Sequence, residues 1–188
     1  MRDQVIGLFG GSFDPAHAGH VALTTHALRR FGLDQVWWLL TPGNPLKSHG
    51  PAPLAERMEQ AHSIMQTPRV RVTDIEAQLG TTYTAETIAV LQNRYVHTQF
   101  VWLMGADNLS QFHQWKDWRQ IIETTPIGII ARPDARLSPI SSRAARIYRH
   151  ARVPAKQSQQ LGHLSGPAWC YVNMPLMPIS STALRSGA

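Results

Sequence analysis

Gly10-Gly11-Ser12-Phe13-Asp14-Pro15-Ala16-His17-Ala18-Gly19-His20 follows directly on the apolar run Val5-Ile6-Gly7-Leu8-Phe9. Together they read as a strand, a glycine turn and the start of a helix. Adjacent glycines let backbone N–H groups approach a ligand with no Cβ in the way. A helix N-terminus behind them offers unpaired donors at the positive end of its dipole. Such a place suits an anion, most naturally phosphate. His17 and His20 are three residues apart, so on a helix they share one face of the first turn and point toward whatever the loop holds. Two imidazoles beside a phosphate suit the stabilisation of charge that develops in a transition state. Each feature also has a plainer reading. Glycine turns follow buried strands in many α/β proteins, and either histidine can be a satisfied polar group at a helix start. A His-x-x-His pair also occurs in metal sites, but no third ligand stands out nearby at a supporting spacing, so no metal ligands are assigned.

Composition bounds the rest. A chain of 188 residues that is 43% hydrophobic and 16% charged is long enough for one sizeable core and short for two, so residues 1–188 are expected to form a single domain. One cysteine, Cys170, leaves no internal disulfide framework and fits a reducing compartment; in its apolar run it reads as an inert buried thiol. The start Met-Arg-Asp-Gln leads straight into a strand pattern, and no apolar run approaches the roughly 20 residues that span a bilayer. A cytoplasmic protein is expected. The formal charge of +6 suggests anionic partners, and the bases concentrate between Arg132 and Lys156 against the single acid Asp134. Arg143, Arg146, Arg149 and Arg152 recur every three residues, which on a helix is a solvated stripe. Without interleaved aromatics or an RNA-recognition signature, no nucleic-acid partner is expected.

Along the chain, strands alternate with helices. The strands read as Val5–Phe9, Val36–Leu40, Val70–Thr73, Phe100–Met104, Pro126–Ala131 and Ala168–Asn173. Helices read as Ala18–Phe31, Leu54–Gln66, Thr84–Arg94 and a basic one over Ser141–Ala151, with a helical region carrying Phe112, Trp115 and Trp118. Pro154–Gly166 reads as a mobile loop. This order predicts an α/β fold with a doubly wound parallel sheet, and runs such as Val-Trp-Trp-Leu-Leu suit strands covered on both faces. Ligands of such sheets bind outside the carboxyl ends of the strands. There the glycine loop, the Pro- and Gly-rich segment Thr41–Pro51 with Lys47 as a phosphate reacher, Gly105–Asn108 and Ser180–Thr182 would converge. Near the C-terminus, Ile179-Ser180-Ser181-Thr182-Ala183-Leu184-Arg185 puts three hydroxyls at a helix start with an arginine one turn on. They can cap the helix and bind phosphate oxygens, Arg185 adding a charge-assisted contact; a plain N-cap is the simpler account.

The eleven-residue string resembles the Gly-Gly-x-Phe-Asp-Pro-x-His-x-Gly-His signature of the nucleotidylyltransferase superfamily at every defined position, and Ile-Ser-Ser-Thr-x-x-Arg resembles its second signature, associated there with ATP phosphates. Within the superfamily, the chain resembles the bacterial nicotinate-nucleotide adenylyltransferases along nearly its whole length. Thr82-Tyr83-Thr84 followed by Thr87 is similar to that family's pyridine-carboxylate segment, where backbone amides and a threonine hydroxyl hold the nicotinate. Gly105-Ala106-Asp107-Asn108-Leu109 with Phe112, Trp115 and Trp118 is similar to its mononucleotide-holding segment, and Trp115, before Trp118, is the expected ring stacker. Arg132-Pro133 matches a further nucleotide-site element.

The resemblance implies a Rossmann-like fold and adenylyl transfer from ATP to nicotinate mononucleotide in NAD biosynthesis. ATP would meet Gly10, Gly11, Ser12, Phe13, His17, His20, Ser180, Ser181, Thr182 and Arg185. The mononucleotide would meet Lys47, Thr82, Tyr83, Thr84, Gly105, Asp107, Trp115 and Arg132. His17, His20, Lys47 and Arg185 carry the expected catalytic work, and Mg2+ accompanies ATP on phosphates and water. A phosphopantetheine adenylyltransferase shares the first motif but leaves Thr82–Thr84 and Gly105–Trp118 unaccounted for. A non-catalytic nucleotide- or RNA-binding module on the same fold would bind ATP without releasing pyrophosphate.

Overall fold

The computed structural model describes residues 3–43, 50–131 and 138–174. In chain order the elements are β1 (Gln4–Gly11), α1 (Ala18–Arg30), β2 (Gln35–Leu40), α2 (Leu54–Ile64), β3 (Val70–Thr73), α3 (Ile75–Leu79) and α4 (Thr84–Arg94). They continue with β4 (Thr98–Gly105), α5 (Ala106–Gln111), α6 (Trp118–Thr124), β5 (Ile127–Ala131), α7 (Arg143–Ile147), β6 (Arg152–Val153) and β7 (Trp169–Asn173).

The strands form one sheet in the order β3-β2-β1-β4-β5-β7-β6, and every described pairing is parallel. Alternation along the strands divides the core into two layers. Ile6, Leu8, Trp37, Leu39, Phe100, Trp102 and Ile129 face α4, α5, α6 and α7. Val5, Phe9, Val36, Trp38, Leu40, Val101 and Leu103 face α1 and α2. Both faces are covered, which is why these strands read as continuous apolar runs. From β1 the chain winds outward through β2 and β3, then returns to the other side of β1 as β4. The direction of winding reverses there, so the crevice lies at the carboxyl ends of β1 and β4.

Two sequence expectations change. The basic helix over Ser141–Ala151 is broken into a 3₁₀ turn Ser138–Ser141, α7 and a second 3₁₀ turn Arg149–Ala151. The Trp169 indole donates to the Tyr148 carbonyl at 2.7 Å, and the backbone then extends as β6, a strand too short for its pattern to show. Arg143, Arg146, Arg149 and Arg152 are all exposed, as a solvated stripe requires. Pro154–Gly166, expected to be a mobile loop, holds a 3₁₀ stretch over Ala155–His163. It is pinned by buried Leu161, by Gly162 packed so closely on Val5 that no Cβ would fit, and by Arg30 Nη2 donating to the Ala155 carbonyl at 2.8 Å. Cys170 is free and buried, and burial pushes its thiol up to about 11. Among the described residues, no helix is long and apolar enough to cross a membrane.

Candidate active site

Both glycines of the opening motif still belong to β1; the chain turns only beyond Ser12. Gly10 is required by close approach, since a Cβ there would lie 2.6 Å from Cη2 of Trp102. The turn itself falls on Phe13, whose φ of 46° is rarely adopted by a side-chain-bearing residue. Its ring compensates by burial: it is 1% exposed, stacks on Trp38 with centroids 4.7 Å apart, and lies 4.8 Å from the His20 ring. The motif's phenylalanine is thus the anchor of the loop rather than a surface for ligand.

His17 stands just outside α1 as its N-cap, with Nδ1 accepting from the Gly19 N–H at 3.0 Å. His20 returns the contact, its Nδ1 accepting from the His17 N–H at 3.2 Å. The rings lie 3.9 Å apart, centroid to centroid. Imidazoles therefore do the work that Ser and Glu do in an ordinary capping box. This corrects the expectation of unpaired helix donors, because the Gly19 N–H goes to His17 and those of His20 and Val21 go to the His17 carbonyl. With each Nδ1 accepting, the proton of each neutral ring sits on Nε2, at the edge away from the cap. The helix start thus carries two imidazole rings in place of unpaired backbone donors.

Arg57 was not singled out in the sequence. It is 1% exposed on α2, and its guanidinium donates to three carbonyls: Nε to Ala52 at 2.7 Å, Nη1 to Ser12 at 2.7 Å and to Thr41 at 3.0 Å. Burial lowers its pKa, and the Asp14 carboxylate opposes that shift. One buried cation thus ties the loop after β1 to the end of β2 and to the approach to α2. The available signal was its position, since Leu54, Arg57 and Ala61 share one helical face and the other two pack inward.

On the other face, α4 begins at Thr84 with Tyr83 as its N-cap. Thr82 is exposed and Tyr83 and Thr84 are half-buried. The Thr87 hydroxyl is turned inward, 2.8 Å from the Thr81 hydroxyl and 3.3 Å from Oε1 of Glu76. The Thr87 hydroxyl is thereby committed to protein partners. Glu76 is itself 6% exposed; burial raises its pKa, against hydrogen bonds from Thr41 and Thr87. It links the end of β2 to the start of α4.

After β4, Gly105 makes room for the Asp107 carboxylate, which sits where a Cβ would be; Asp107 is exposed at the start of α5. Trp115 is half-buried and packs edge-on against Trp102 and Phe112, with centroids 6.1 and 5.4 Å away. Trp118 is 7% exposed and packed between Phe112 and Tyr148, so of the two indoles Trp115 retains surface for a ligand. Trp102 touches both Gly10 and Trp115, which joins the phosphate-type loop to the aromatic arm through one ring. Lys47, Arg132, Ser180, Ser181, Thr182 and Arg185 lie outside the described residues.

The cytidylyltransferase-like family model matches residues 8–187, and this chain belongs to that family. It is 62% identical over 183 residues to a Ruegeria pomeroyi protein named "Probable nicotinate-nucleotide adenylyltransferase", covering 97% of this chain and 86% of the relative. A Rhizobium etli protein of the same name is 47% identical over 186 residues, covering 98% and 97%. Within the cytidylyltransferase-like proteins the chain therefore falls among the nicotinate-nucleotide adenylyltransferases. Among solved structures, the Plasmodium falciparum nicotinic acid mononucleotide adenylyltransferase complexed with NaAD superposes with a TM-score of 0.75, covering 97% of this chain and 83% of that one. At 16% identity that likeness speaks for the fold.

Proposed function

We propose that this chain transfers the adenylyl group of ATP to nicotinate mononucleotide, giving nicotinate adenine dinucleotide and pyrophosphate, a step of NAD biosynthesis. The observation that carries the reading is the imidazole capping pair at the start of α1, set at the sheet's switch point. It stands in a chain whose relatives of that name align over nearly its full length.

The nucleophile needs little from the protein. The 5′-phosphate of the mononucleotide has a second pKa of about 6 and is an anion at neutral pH, so no general base is required. A phosphate oxygen forms the new bond to the α-phosphorus of ATP as the bond to the bridging oxygen breaks, and pyrophosphate leaves in line. Placement and charge stabilisation do the rest. His17 and His20 direct Nε2–H donors at the α-phosphate. Lys47, Ser180, Ser181, Thr182 and Arg185 take the leaving phosphates, while Gly10–Phe13 shape the ATP loop. Gly105, Asp107 and Arg132 hold the mononucleotide, Trp115 stacks on its ring, and the Thr82–Thr84 arm faces its carboxylate. Among the described residues, no group of three His, Cys, Asp or Glu side chains is arranged to hold a metal. Magnesium entering with ATP fits phosphate and water ligation, and when bound it neutralises phosphate charge.

The test is pyrophosphate release from ATP offered with nicotinate mononucleotide, nicotinamide mononucleotide, phosphopantetheine or glycerol phosphate. The proposal expects the first to be used best. The acid should exceed the amide by at least about tenfold in kcat/KM, since each donor left facing an amide NH2 costs roughly 1–3 kcal/mol. ATP binding without pyrophosphate release would reject the reading.

A further inference from the structure

The two arms assigned above to the pyridine ring come from different elements, and one ion pair joins them. Lys116, the residue after Trp115, donates to Glu86 in the first turn of α4, with Nζ 2.9 Å from Oε1. The same ammonium lies 4.1 Å from the centroid of the Tyr83 ring. Lys116, aided by the backbone N–H groups of Thr82 and Tyr83, holds the Glu86 carboxyl below the usual carboxylate range. The side chains of the pair are 49% and 42% exposed. An ion pair so open to water adds little to folding stability, but it fixes the charge at the place where an acid must be told from an amide.

We propose that Lys116 and Glu86 are specificity-determining residues of the pyridine-carboxylate subsite: Lys116 supplies the cation that favours the acid, and Glu86 is the resident anion with which the substrate carboxylate shares it. The inference rests on the nicotinate mononucleotide reading above. An ammonium has three donors and can serve two carboxylates at once. With both residues present the subsite is close to neutral before substrate enters. Without Lys116 the Glu86 charge repels an acid and leaves an amide indifferent. Without the Glu86 charge the ammonium is uncompensated and favours the acid further.

The experiment is kcat/KM for nicotinate mononucleotide and for nicotinamide mononucleotide in the wild type, Lys116→Met, Glu86→Gln and the double variant, with melting temperatures measured alongside. The acid-to-amide ratio should fall at least about fivefold in Lys116→Met, a modest share of the interaction of two charges near a protein surface. It should rise in Glu86→Gln and return near the wild-type value in the double variant. The shifts should shrink in about 0.5 M salt, where screening acts within a few ångströms. A purely structural pair would lower both substrates together, and an unmoved ratio, or a ratio that falls in Glu86→Gln, overturns the proposal. A wild type that uses neither mononucleotide overturns the functional reading and this proposal with it, whereas a wild type that uses them with an unmoved ratio overturns the proposal alone.

Discussion

Replacing Arg57 with alanine should damage both folding and ATP use. The guanidinium donates to the carbonyls of Ala52, Ser12 and Thr41 in a place that is 1% exposed, so alanine strands three acceptors without water to replace the lost donors. At a net of about 1–1.5 kcal/mol per hydrogen bond, the loss comes to about 3–4.5 kcal/mol. For a chain of this size each kcal/mol lowers Tm by about 2–4 °C, which places the drop at about 6–18 °C. Arg57→Lys keeps the charge but has no planar fork with which to reach carbonyls in different directions, so it should recover less than half of the loss. Ser12 follows the two glycines, and the Asp14 carboxylate faces the same guanidinium. The loop should therefore loosen, and the KM for ATP should rise even at a temperature where the variant is fully folded. Thermal melts followed by circular dichroism and steady-state pyrophosphate release supply the two readings. A melting temperature within about 2 °C of wild type would refute the three-carbonyl accounting. A large drop in Tm with an unchanged KM for ATP would refute the link to the ATP loop.

His20→Ala should lower kcat by about 10²-fold or more while ATP binding weakens less, the pattern of a transition-state contact; because Nδ1 also caps α1, a Tm loss of only a few degrees is expected, and retained turnover would reject the role. Glu76→Gln tests the buried carboxylate. Its folded pKa is raised above the ordinary 4.5, chiefly by burial, so the protonated form is the one folding favours, and wild-type stability falls as pH rises from 4.5 through the folded value. The variant should match wild type in Tm below that window and exceed it at neutral pH, whereas a variant less stable at neutral pH than in acid, relative to wild type, would reverse the sign. Arg185→Ala should raise the KM for ATP and leave that for the mononucleotide nearly unchanged; a lower Tm with normal kinetics in the folded fraction would identify a helix-capping residue instead.

What the sequence disclosed depended on whether a residue's role could be read from its neighbours along the chain. Val36–Leu40 and Phe100–Met104 were legible because strands covered on both faces need nothing but apolar residues, and helix Thr84–Arg94 because its amphipathic period is local. The two-residue β6 and the five-residue α3 lack the length to show a period, and they exist because β7 and Glu76 supply tertiary partners. The same division runs through the site. His17 and His20 were visible as a pair because their spacing is fixed by one helical turn, yet their exchange of caps for backbone donors was hidden in the choice of ring nitrogen. Arg57, Glu76, Glu86 and Lys116 were passed over because each reads as an ordinary charge on a helix or turn. Their partners lie 16 and 45 residues away for Arg57 and 30 residues apart for the ion pair, distances no local pattern encodes. The glycine loop and the imidazole caps lie within a single β-α unit, and so are written in contiguous residues. The Lys116–Glu86 pair on which the proposed selection of a pyridine acid rests brings charge from α4 and from the residue after Trp115 to one point, and it becomes readable only when the fold has closed them together.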